Sequence, residues 1–361
     1  MHETKLRKIM YFCDMKQKLL GMTLPQLQEL VLQEGLPKFT AGQIAQWLYV
    51  KKVDSLDRMT NLSKAAREKL AQNYEVGWVH PQEHITSADG TRKYLFPVSC
   101  PVGGEMRDSA IEAVMIPDGD RATLCVSSQA GCKMGCKFCM TGRQGFHGNL
   151  DAAQILSQIV SIEESDQLTN IVFMGMGEPL DNYGTLSTVL ECLTASWGFA
   201  WSPKRITVSS IGVLPNLKRL LDEHKCHIAI SLHNPFPEER LQFMPVQAAY
   251  NILDVVDLLK QYDFTGQRRV SFEYTMFTGY NDSKRHADAL SRLLKGLECR
   301  VNLIRFHKIP DFPYETSNAA AIEMFRQRLG SNGITATLRA SRGEDILAAC
   351  GMLAGKNRNQ K

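Results

Sequence analysis

The sequence predicts an α/β protein built as a partial (β/α)6 TIM-like barrel, preceded by a small helical accessory domain. From about residue 118, apolar strand-like runs alternate with helical stretches, which indicates a parallel sheet with right-handed crossovers. The unusual cysteine-containing and polar motifs follow the ends of these runs, where a barrel carries its active site. The length of 361 residues is sufficient for a barrel and a smaller domain. A doubly wound open sheet is the alternative arrangement of the same units.

Composition excludes a membrane protein and a disulfide-rich secreted one. The chain is 44% hydrophobic, which is typical of a soluble globular protein. No uninterrupted apolar run approaches the roughly 18–20 residues that a membrane span needs, and the basic start is not followed by a signal-type apolar core. We therefore expect a cytoplasmic protein whose ten cysteines are reduced thiols.

Five segments are expected along the chain. Met15 is an alternative start, from which the native protein would lack most of the first segment. The segments are an N-terminal extension that is non-native or flexible (1–20), a helical RNA-binding domain (21–82), a β linker (83–117), the barrel core (118–345) and a C-terminal segment (346–361).

The helical domain is predicted from apolar residues at helical spacing, as in Leu24, Leu27 and Leu30. Thr40 followed by Gln43 suggests a capping box at the start of a second helix, and Ser63 is a candidate cap for a third. Helices of this kind bind nucleic acid in some proteins and serve only for packing in others.

Charge points weakly to a polyanionic partner. Residues 1–75 contain 12 Lys+Arg and 8 Asp+Glu, and the rest of the chain contains 30 of each, so the N-terminal part holds the whole positive excess. Such a module is consistent with RNA binding, although an ordinary solvated helical surface explains the charge equally well. Candidate phosphate contacts are Lys51, Lys52, Arg58, Lys64 and Arg67.

The β linker is predicted from runs at 93–96 and 111–116, separated by a turn at Gly103 and Gly104. Glu112 lies within the second, largely apolar run. A buried carboxylate is costly unless it is paired or used chemically, whereas a strand glutamate that points to water is the more common case.

The barrel units are predicted individually. The strands are 122–126, 170–173, 205–209, 227–231, 269–274, 301–305 and 334–338. The helices are 151–164, 184–196, 214–223, 249–262, 283–295 and 318–329.

The most informative motif is a loop with three cysteines, Cys132, Cys136 and Cys139, directly after the first barrel strand. Three thiolates from one loop can hold three irons of a four-iron cluster, which leaves the fourth iron open for chemistry. Zinc is the alternative, but structural zinc usually has paired short spacings and four ligands. His147 is the only close additional ligand, and no second cysteine pair follows.

Other polar residues follow later strands. Gly177 and Glu178 lie in a Gly-Met-Gly-Glu-Pro loop that lacks the pattern of a phosphate or dinucleotide loop. Such a loop could bring the backbone close to a small ligand and offer Glu178 to an ammonium group, or it could be a simple tight turn. The remaining candidates at strand ends are Ser209, Ser231, Leu232, His233 and His307.

Two further cysteines have a distinctive context. Cys125 ends the first barrel strand, and Cys350 lies in a Gly-Glu-Asp-Ile-Leu-Ala-Ala-Cys-Gly stretch near the C-terminus. An isolated cysteine is usually a small buried apolar residue, so neither is assigned a chemical role by itself. The other cysteines are interpreted as structural: Cys13, Cys100, Cys192, Cys226 and Cys299.

These motifs together resemble the RlmN/Cfr family of radical S-adenosylmethionine (SAM) RNA methyltransferases. The similarity covers the region from about residue 21 to 355 and includes Cys125, the cysteine loop with Met140-Thr141-Gly142, Gly177-Glu178-Pro179, Ser231-Leu232-His233 and the Arg342–Gly351 stretch. The resemblance implies a 4Fe-4S cluster held by Cys132, Cys136 and Cys139. It also implies SAM contacts from Gly177, Glu178, Ser209, Ser231, Leu232, His233 and His307. The family commonly has Asn where this chain has His307.

The resemblance also implies a substrate and a mechanism. The expected substrate is adenosine 2503 of 23S rRNA, methylated at carbon 2, with adenosine 37 of tRNAs as a second substrate. One SAM would methylate Cys350, and a radical from a second SAM would convert that methyl group into a methylene radical that adds to adenine. Glu112 would remove a proton from the adduct, and Cys125 would attack the sulfur of Cys350, leaving a disulfide. Because the attacking group must be a thiolate, we expect Cys125 in an accessible, electropositive setting.

The resemblance further implies a monomer that receives electrons from a one-electron donor such as flavodoxin. Methylation at carbon 8, as in the other branch of the family, is the alternative. Activation of a glycyl-radical partner would leave Cys125 and Cys350 without a role. A non-catalytic zinc protein that binds RNA is the third possibility.

Overall fold

The computed structural model describes residues 16–266 and 268–355. Most of the predicted N-terminal extension, including Met15 and Cys13, lies outside the described residues. So does the end of the predicted C-terminal segment, from residue 356. No helix in the described ranges is both long and apolar enough to cross a membrane.

Strands and α-helices are numbered along the chain. The strands are β1 (Gln17–Lys18), β2 (Tyr74–Glu75), β3 (Glu83–Thr86), β4 (Arg92–Val102), β5 (Glu105–Asp118), β6 (Arg121–Cys125), β7 (Gln129–Gly131), β8 (Phe146–Asn149), β9 (Asn170–Phe173), β10 (Ile206–Ser210), β11 (His227–Ser231), β12 (Val270–Met276), β13 (Cys299–Arg305) and β14 (Thr335–Leu338). The helices are α1 (Leu24–Gln33), α2 (Thr40–Ala45), α3 (Lys64–Asn73), α4 (Met140–Arg143), α5 (Ala152–Val160), α6 (Tyr183–Thr194), α7 (Leu214–Glu223), α8 (Pro237–Phe243), α9 (Ile252–Leu259), α10 (Lys284–Leu293) and α11 (Ala319–Ser331).

The main sheet decides between the two predicted arrangements of βα units. Its order is β14-β13-β12-β11-β10-β9-β6-β5-β4-β3, and β6 and β9 to β14 are all parallel to their neighbours in that group. The parallel strands therefore follow one another in chain order, without the reversal that defines a doubly wound sheet. This is the partial barrel that the sequence predicted.

The predicted β linker extends the same sheet at its β6 edge. Strands β4 and β5 form a long antiparallel hairpin, and β5 pairs antiparallel with β6. The hairpin turns at Gly103 and Gly104, which have φ of +61° and +82°. These left-handed values favour glycine, as a tight hairpin turn requires. The hairpin is longer than predicted because polar residues continue the ladder beyond the apolar runs.

The N-terminal helices pack onto the barrel through Tyr49. This buried side chain donates a hydrogen bond to the Met22 carbonyl (2.6 Å) and accepts one from the Gly21 amide (3.2 Å). Its ring packs against Trp197 and Phe199 of the barrel, with centroids 5.6 and 5.5 Å apart. The hydroxyl therefore connects parts of the module to one another, and the ring packs the module against the barrel.

Two details of this module differ from the sequence interpretation. Leu19 and Leu20 are fully buried, and β1 pairs with β2, so ordered structure begins before residue 21. The capping box predicted at Thr40 is wrong, because Phe39 occupies the cap position and Thr40 is already helical and buried. Ser63 does cap α3, accepting a hydrogen bond from the Ala66 amide at 3.2 Å.

Replacing Tyr49 by Phe should lower the free energy of unfolding by about 1–3 kcal/mol, because the Met22 carbonyl and Gly21 amide lose a buried partner. Denaturant-induced unfolding measures the change. Tyr262→Phe is the control, since its hydroxyl bonds Asp222 at an exposed position, and we expect a change within about 0.5 kcal/mol. Equal effects of the two substitutions would contradict the docking role of Tyr49.

Candidate active site

A cavity opens at the carboxyl-end rim of the parallel strands. Every parallel strand contributes to its wall, either at its end or in the segment that follows, as expected for the active face of a barrel. The wall includes most of the predicted site residues: Cys132, Cys136, Cys139, Gly177, Glu178, Ser209, Ser231, His233, His307 and Cys350. Residues that span more than 200 positions of the sequence therefore line a single cavity.

The cysteine loop is fixed at both ends by backbone hydrogen bonds. The Cys132 amide donates to the Gly145 carbonyl (2.8 Å), and the Cys139 amide donates to the Cys136 carbonyl (3.2 Å). Gly142 lies so close to Cys136 that a Cβ there would meet its backbone at 3.0 Å. Cys139 occupies the cap position of the short helix α4, and hydrogen bonds from Thr141 and Gly142 favour its thiolate.

The three thiols are buried and influence one another electrostatically. Burial raises the pKa of Cys132 to about 12 and raises the pKa values of Cys136 and Cys139 as well. Such thiols lose their protons when a bound metal supplies the compensating charge. In residues 16–266 and 268–355, no three His, Cys, Asp or Glu side chains converge closely enough to hold one metal ion. In a four-iron cluster each thiolate binds its own iron, and three thiols of one loop that line the same cavity fit that donor set.

The backbone of the loop after β9 packs closely against the segment that follows the first barrel strand, at Val126 and Gln129. Gly177 has φ of +95°, and a Cβ on it would lie 2.4 Å from the Gln129 side chain. A Cβ on Gly175 would lie 2.7 Å from the Val126 carbonyl oxygen. Both glycines are therefore required for the close approach, which also lets the Glu178 amide donate to Gln129 Oε1 (2.9 Å).

Glu178 presents a buried carboxylate that is held by backbone amides. Its Oε1 accepts from Leu180 N and its Oε2 from Ile211 N, each at 3.0 Å. Burial raises its pKa to about 7, against the lowering effect of the hydrogen bonds from Ile211, Ser210 and Leu180. A carboxylate near its own pKa gains from a cationic partner, which is what an ammonium group would provide.

The ends of β10 and β11 are held by a buried arginine that sequence analysis missed. Arg240 donates to the carbonyls of Leu232 (3.0 Å) and Ser231 (3.0 Å). The Leu232 amide also donates to the Glu273 carbonyl (3.1 Å). Leu232 is fully buried behind the wall with both backbone groups engaged, and the structure does not place it on the cavity.

His233 has an uncommon backbone conformation and a neutral side chain that can donate a hydrogen bond. Its φ is +55°, which is unfavourable for a side chain larger than glycine. Its Nδ1 accepts from the Thr275 amide (2.9 Å), so the neutral ring carries its proton on Nε2. Burial, with the nearby Arg240 charge, lowers its pKa to about 3. Its ring lies edge-on to Phe138, with centroids 5.0 Å apart, which connects it to the cysteine loop.

His307 follows β13 and lines the cavity at the rim. It is buried, and its Nδ1 lies 3.4 Å from Oε1 of the exposed Glu344. The histidine thus connects the cavity wall to the segment that precedes Cys350.

Cys350 lines the cavity and Cys125 lies behind it. Burial raises the pKa of Cys125 to about 12, the Cys350 thiol adds to this shift, and Arg339 opposes it. Both thiols are free, and Cys350 is exposed. The expected electropositive setting is present as Arg339. The expected accessibility of Cys125 is wrong, because its side chain is buried in the apolar core.

Arg339 and Glu273 are the other wall residues that sequence analysis missed. Arg339 Nη1 lies 3.4 Å from Glu273 Oε2, and Arg339 interacts electrostatically with Cys350 and Cys125. Arg339 follows β14 directly, so the rule that active residues follow barrel strands could have found it.

Glu112 is a buried residue that does not line the cavity. Its Oε1 pairs with Lys93 Nζ at 2.9 Å. Its Oε2 accepts from the amides of Ala354 (2.7 Å) and Gly355 (3.0 Å). The water-facing interpretation is therefore wrong, and the carboxylate contacts the segment that carries Cys350.

The candidate phosphate contacts of the N-terminal module are partly engaged within the protein. Lys52 Nζ lies 2.7 Å from Asp166 Oδ1 and donates to the Ser165 carbonyl at 3.1 Å. Arg67 donates to the Asp57 carbonyl at 2.6 Å. Lys52 thus helps to attach the module to the barrel, and the exposed candidates are Lys51, Arg58 and Lys64.

Comparisons with known proteins agree with this geometry. The family model described as the radical SAM superfamily matches residues 126–290, and the model of the ribosomal RNA large subunit methyltransferase N-terminal domain matches residues 17–76. A probable dual-specificity RNA methyltransferase RlmN from Parabacteroides distasonis is 57% identical over 339 residues, covering 94% of this chain and 97% of the relative. The chain belongs to the RlmN family of radical SAM RNA methyltransferases.

Other RlmN-family relatives support the same conclusion. A dual-specificity RNA methyltransferase RlmN from Syntrophus aciditrophicus is 39% identical, covering 94% of this chain and 97% of the relative. The crystal structure of a radical SAM methyltransferase from Sphaerobacter thermophilus superposes with a TM-score of 0.86 at 38% identity, covering 94% of this chain and all of that one. Membership in the RlmN family implies SAM and an iron–sulfur cluster as cofactors.

The affinity for SAM should fall about tenfold between pH 8 and pH 6. Glu178 has a pKa near 7, so it is mostly protonated at pH 6 and cannot pair with the ammonium group of SAM without losing its proton. His233 stays neutral over this range because its pKa is about 3. Equilibrium dialysis of SAM against the cluster-loaded enzyme, kept free of oxygen, measures the dependence.

Glu178→Gln is the matched variant for this measurement. It should bind SAM more weakly at pH 8 and show little dependence on pH. If the variant keeps the full tenfold change, a group other than Glu178 is responsible and the assignment fails.

Proposed function

We propose that this enzyme methylates carbon 2 of adenosine 2503 in 23S rRNA and, as a second substrate, adenosine 37 in tRNAs. The observation that carries the proposal is Cys350, which shares one cavity with the three cluster cysteines and is electrostatically coupled to Cys125. The names of the relatives, which are dual-specificity RNA methyltransferases, support two RNA substrates. We also propose that it works in the cytoplasm as a monomer and takes electrons from a donor such as flavodoxin.

The chemistry of the target explains why such a site is needed. Carbon 2 of adenine lies between two ring nitrogens and is electron-poor, so it cannot attack the methyl group of SAM as a nucleophile. A carbon-centred radical that adds to this position avoids the difficulty.

Residues of one cavity would hold both cofactors. Cys132, Cys136 and Cys139 would hold the 4Fe-4S cluster, and Glu178 and the Nε2–H of His233 would offer an acceptor and a donor to SAM. Gly177, Ser209, Ser231 and His307 complete that part of the wall. When bound, the cluster supplies a single electron to SAM, and SAM supplies both the methyl group and the radical.

Cys350 is the methyl carrier in this proposal. Its thiol is exposed and lines the cavity, so it can receive a methyl group from SAM and then meet a base that enters from solvent. Transfer of one hydrogen atom from the S-methyl group to the radical that SAM would supply leaves a carbon-centred radical on the methylene, which bonds to carbon 2 of adenine.

Glu112 and Cys125 complete the reaction. Glu112 takes the proton from carbon 2 of the adduct, and a bound cluster would take up the extra electron of the adduct. Cys125 then attacks the Cys350 sulfur, so that an S–S bond forms and the S–C bond breaks. The electron pair of the broken bond stays on the methylene carbon, which takes a proton and becomes the methyl group. Arg339 is the cation that favours the Cys125 thiolate within its buried setting.

The product distinguishes the proposal from its nearest alternative. Purified enzyme, a reductant, SAM and a 23S rRNA fragment should yield 2-methyladenosine, identified by mass and retention time after nuclease digestion. Formation of 8-methyladenosine would show that carbon 8, and not carbon 2, is methylated. A tRNA that stays unmodified in the same assay would show that tRNA is not a substrate.

Replacing Cys350 by Ala should abolish methylation, at least about a thousandfold, because no methyl carrier remains. The absorbance of the cluster and the reductive cleavage of SAM should persist, since the cluster ligands are unchanged. Retained methylation would show that Cys350 is not the methyl carrier.

Cys125→Ala tests the division of labour among the thiols. It should keep the iron content of the purified enzyme but stop turnover after the first adduct, whereas Cys136→Ala should lose iron. Loss of iron in Cys125→Ala would show that the thiols have been assigned incorrectly.

A further inference from the structure

Both oxygens of the Glu112 carboxylate are bound by protein donors. Lys93 Nζ lies 2.9 Å from Oε1, and the amides of Ala354 and Gly355 donate to Oε2 at 2.7 and 3.0 Å. The side chains of Glu112 and Lys93 are only 3% and 12% exposed. A buried carboxylate needs such partners to remain ionised.

The same ion pair contacts both ends of the segment around Cys350. Lys93 Nζ also donates to the Leu347 carbonyl at 3.4 Å, three residues before Cys350. Glu112 holds Ala354 and Gly355, four and five residues after it. The charged pair therefore lies beneath the segment 347–355 and binds it on either side of the cysteine.

The segment is also attached to the cysteine loop. The Met140 amide donates to the Gly351 carbonyl, and Thr141 Oγ1 donates to the Leu353 carbonyl, both at 2.8 Å. Gln144 Nε2 donates to the Ala354 carbonyl at 2.8 Å. The position of Cys350 relative to the cluster cysteines therefore depends on docking of 347–355 against two supports, helix α4 and the Lys93–Glu112 pair.

We propose that Lys93 is a positioning residue for Glu112. Held in place by Lys93, Glu112 fixes the segment 347–355 through its hydrogen bonds from Ala354 and Gly355, and this arrangement is called the latch. Glu112 becomes a proton acceptor only when the segment leaves it. The assignment of Glu112 as acceptor rests on the proposed function, whereas the latch rests on the contacts alone. While the segment is docked, its two amides occupy Oε2 and Glu112 does not line the cavity, so a substrate in the cavity cannot reach the carboxylate. Movement of the segment with the adduct frees Oε2, and the contact with Lys93 keeps the carboxylate in place.

Amide hydrogen exchange tests the latch without RNA or SAM. In the wild-type enzyme the amides of Ala354 and Gly355 should be protected. In Lys93→Met their exchange should accelerate at least about tenfold, and in Lys93→Arg it should stay within about twofold, because the cation is retained. Lys218→Met is the matched control, since its ion pair with Asp222 is exposed, and it should leave these amides unchanged. Unprotected wild-type amides, or equal protection in Lys93→Met and the wild type, would overturn the proposal.

Gly355→Ala provides a test that leaves both charged residues in place and covers the case in which Lys93→Met does not fold. Gly355 has φ of +61°, and a Cβ there would lie 2.2 Å from the Ala110 carbonyl oxygen. The substitution should therefore displace the segment and expose the Ala354 amide to exchange. It should also slow oxidative formation of the Cys125–Cys350 disulfide about tenfold, because the effective concentration of Cys350 near Cys125 falls. Wild-type exchange and disulfide rates in this variant would contradict the latch.

A single-turnover reaction with RNA tests the positioning role. Lys93→Met should form the covalent adduct between RNA and Cys350 but resolve it slowly, so that the adduct accumulates on a denaturing gel, and Lys93→Arg should restore resolution. An adduct that resolves at the wild-type rate in Lys93→Met would exclude Lys93 from this role. If the wild-type enzyme methylates no RNA, the proposed function fails while the exchange results on the latch still stand.

Discussion

Strand β6 is the junction on which the active site depends, because it pairs antiparallel with β5 on one side and parallel with β9 on the other. Cys125, at its end, lies opposite Val114 of β5 and Val172 of β9. This register places Cys125 next to the strand that carries Glu112 and next to the strand that leads into the Glu178 loop. The cysteine loop begins a few residues after β6. The hydrogen bonds of one five-residue strand thus set the relative positions of the chemically distinct parts of the site.

Three cations lie at different parts of the site. Arg240 is buried, holds the ends of β10 and β11 through the carbonyls of Ile211, Leu232 and Ser231, and interacts with Cys136. The partly exposed Arg339 interacts with Cys125 and Cys350, and Lys93 pairs with Glu112. Coulomb interactions weaken with distance, so each cation acts most strongly on its nearest partners. The three parts of the proposed reaction, cofactor binding, methyl transfer and proton removal, are therefore each associated with a cation of their own.

The sequence predicted the fold and much of the rim because both depend on local patterns. Strand and helix periodicity placed the parallel strands to within a few residues, and the rule that active residues follow barrel strands brought His233 and His307 to the cavity. What failed depends on contacts between distant residues. Neither the hydrogen bond from Thr275 to His233 nor the burial of Cys125 can be read from a local motif, since the residues involved are distant in sequence. Arg240 was missed because helix α8 was not predicted, and Leu232 was included because the family resemblance covers Ser231-Leu232-His233 as one motif.

The C-terminal segment shows how a short piece of chain without regular structure can be placed firmly. Its glycines allow close contact: a Cβ on Gly351 would lie 3.4 Å from the Phe138 carbonyl oxygen, and one on Gly355 only 2.2 Å from that of Ala110. The segment therefore fits between the cysteine loop and β5 without side chains in the way, and its backbone carbonyls and amides find partners on both. Ala348, Ala349 and Leu353 are buried and help to anchor the segment, whereas each of its hydrogen bonds contributes only about 0.5–1.5 kcal/mol and can break individually. A segment held this way can keep Cys350 at the cavity and still release it, which a methyl carrier that must meet SAM and then RNA requires.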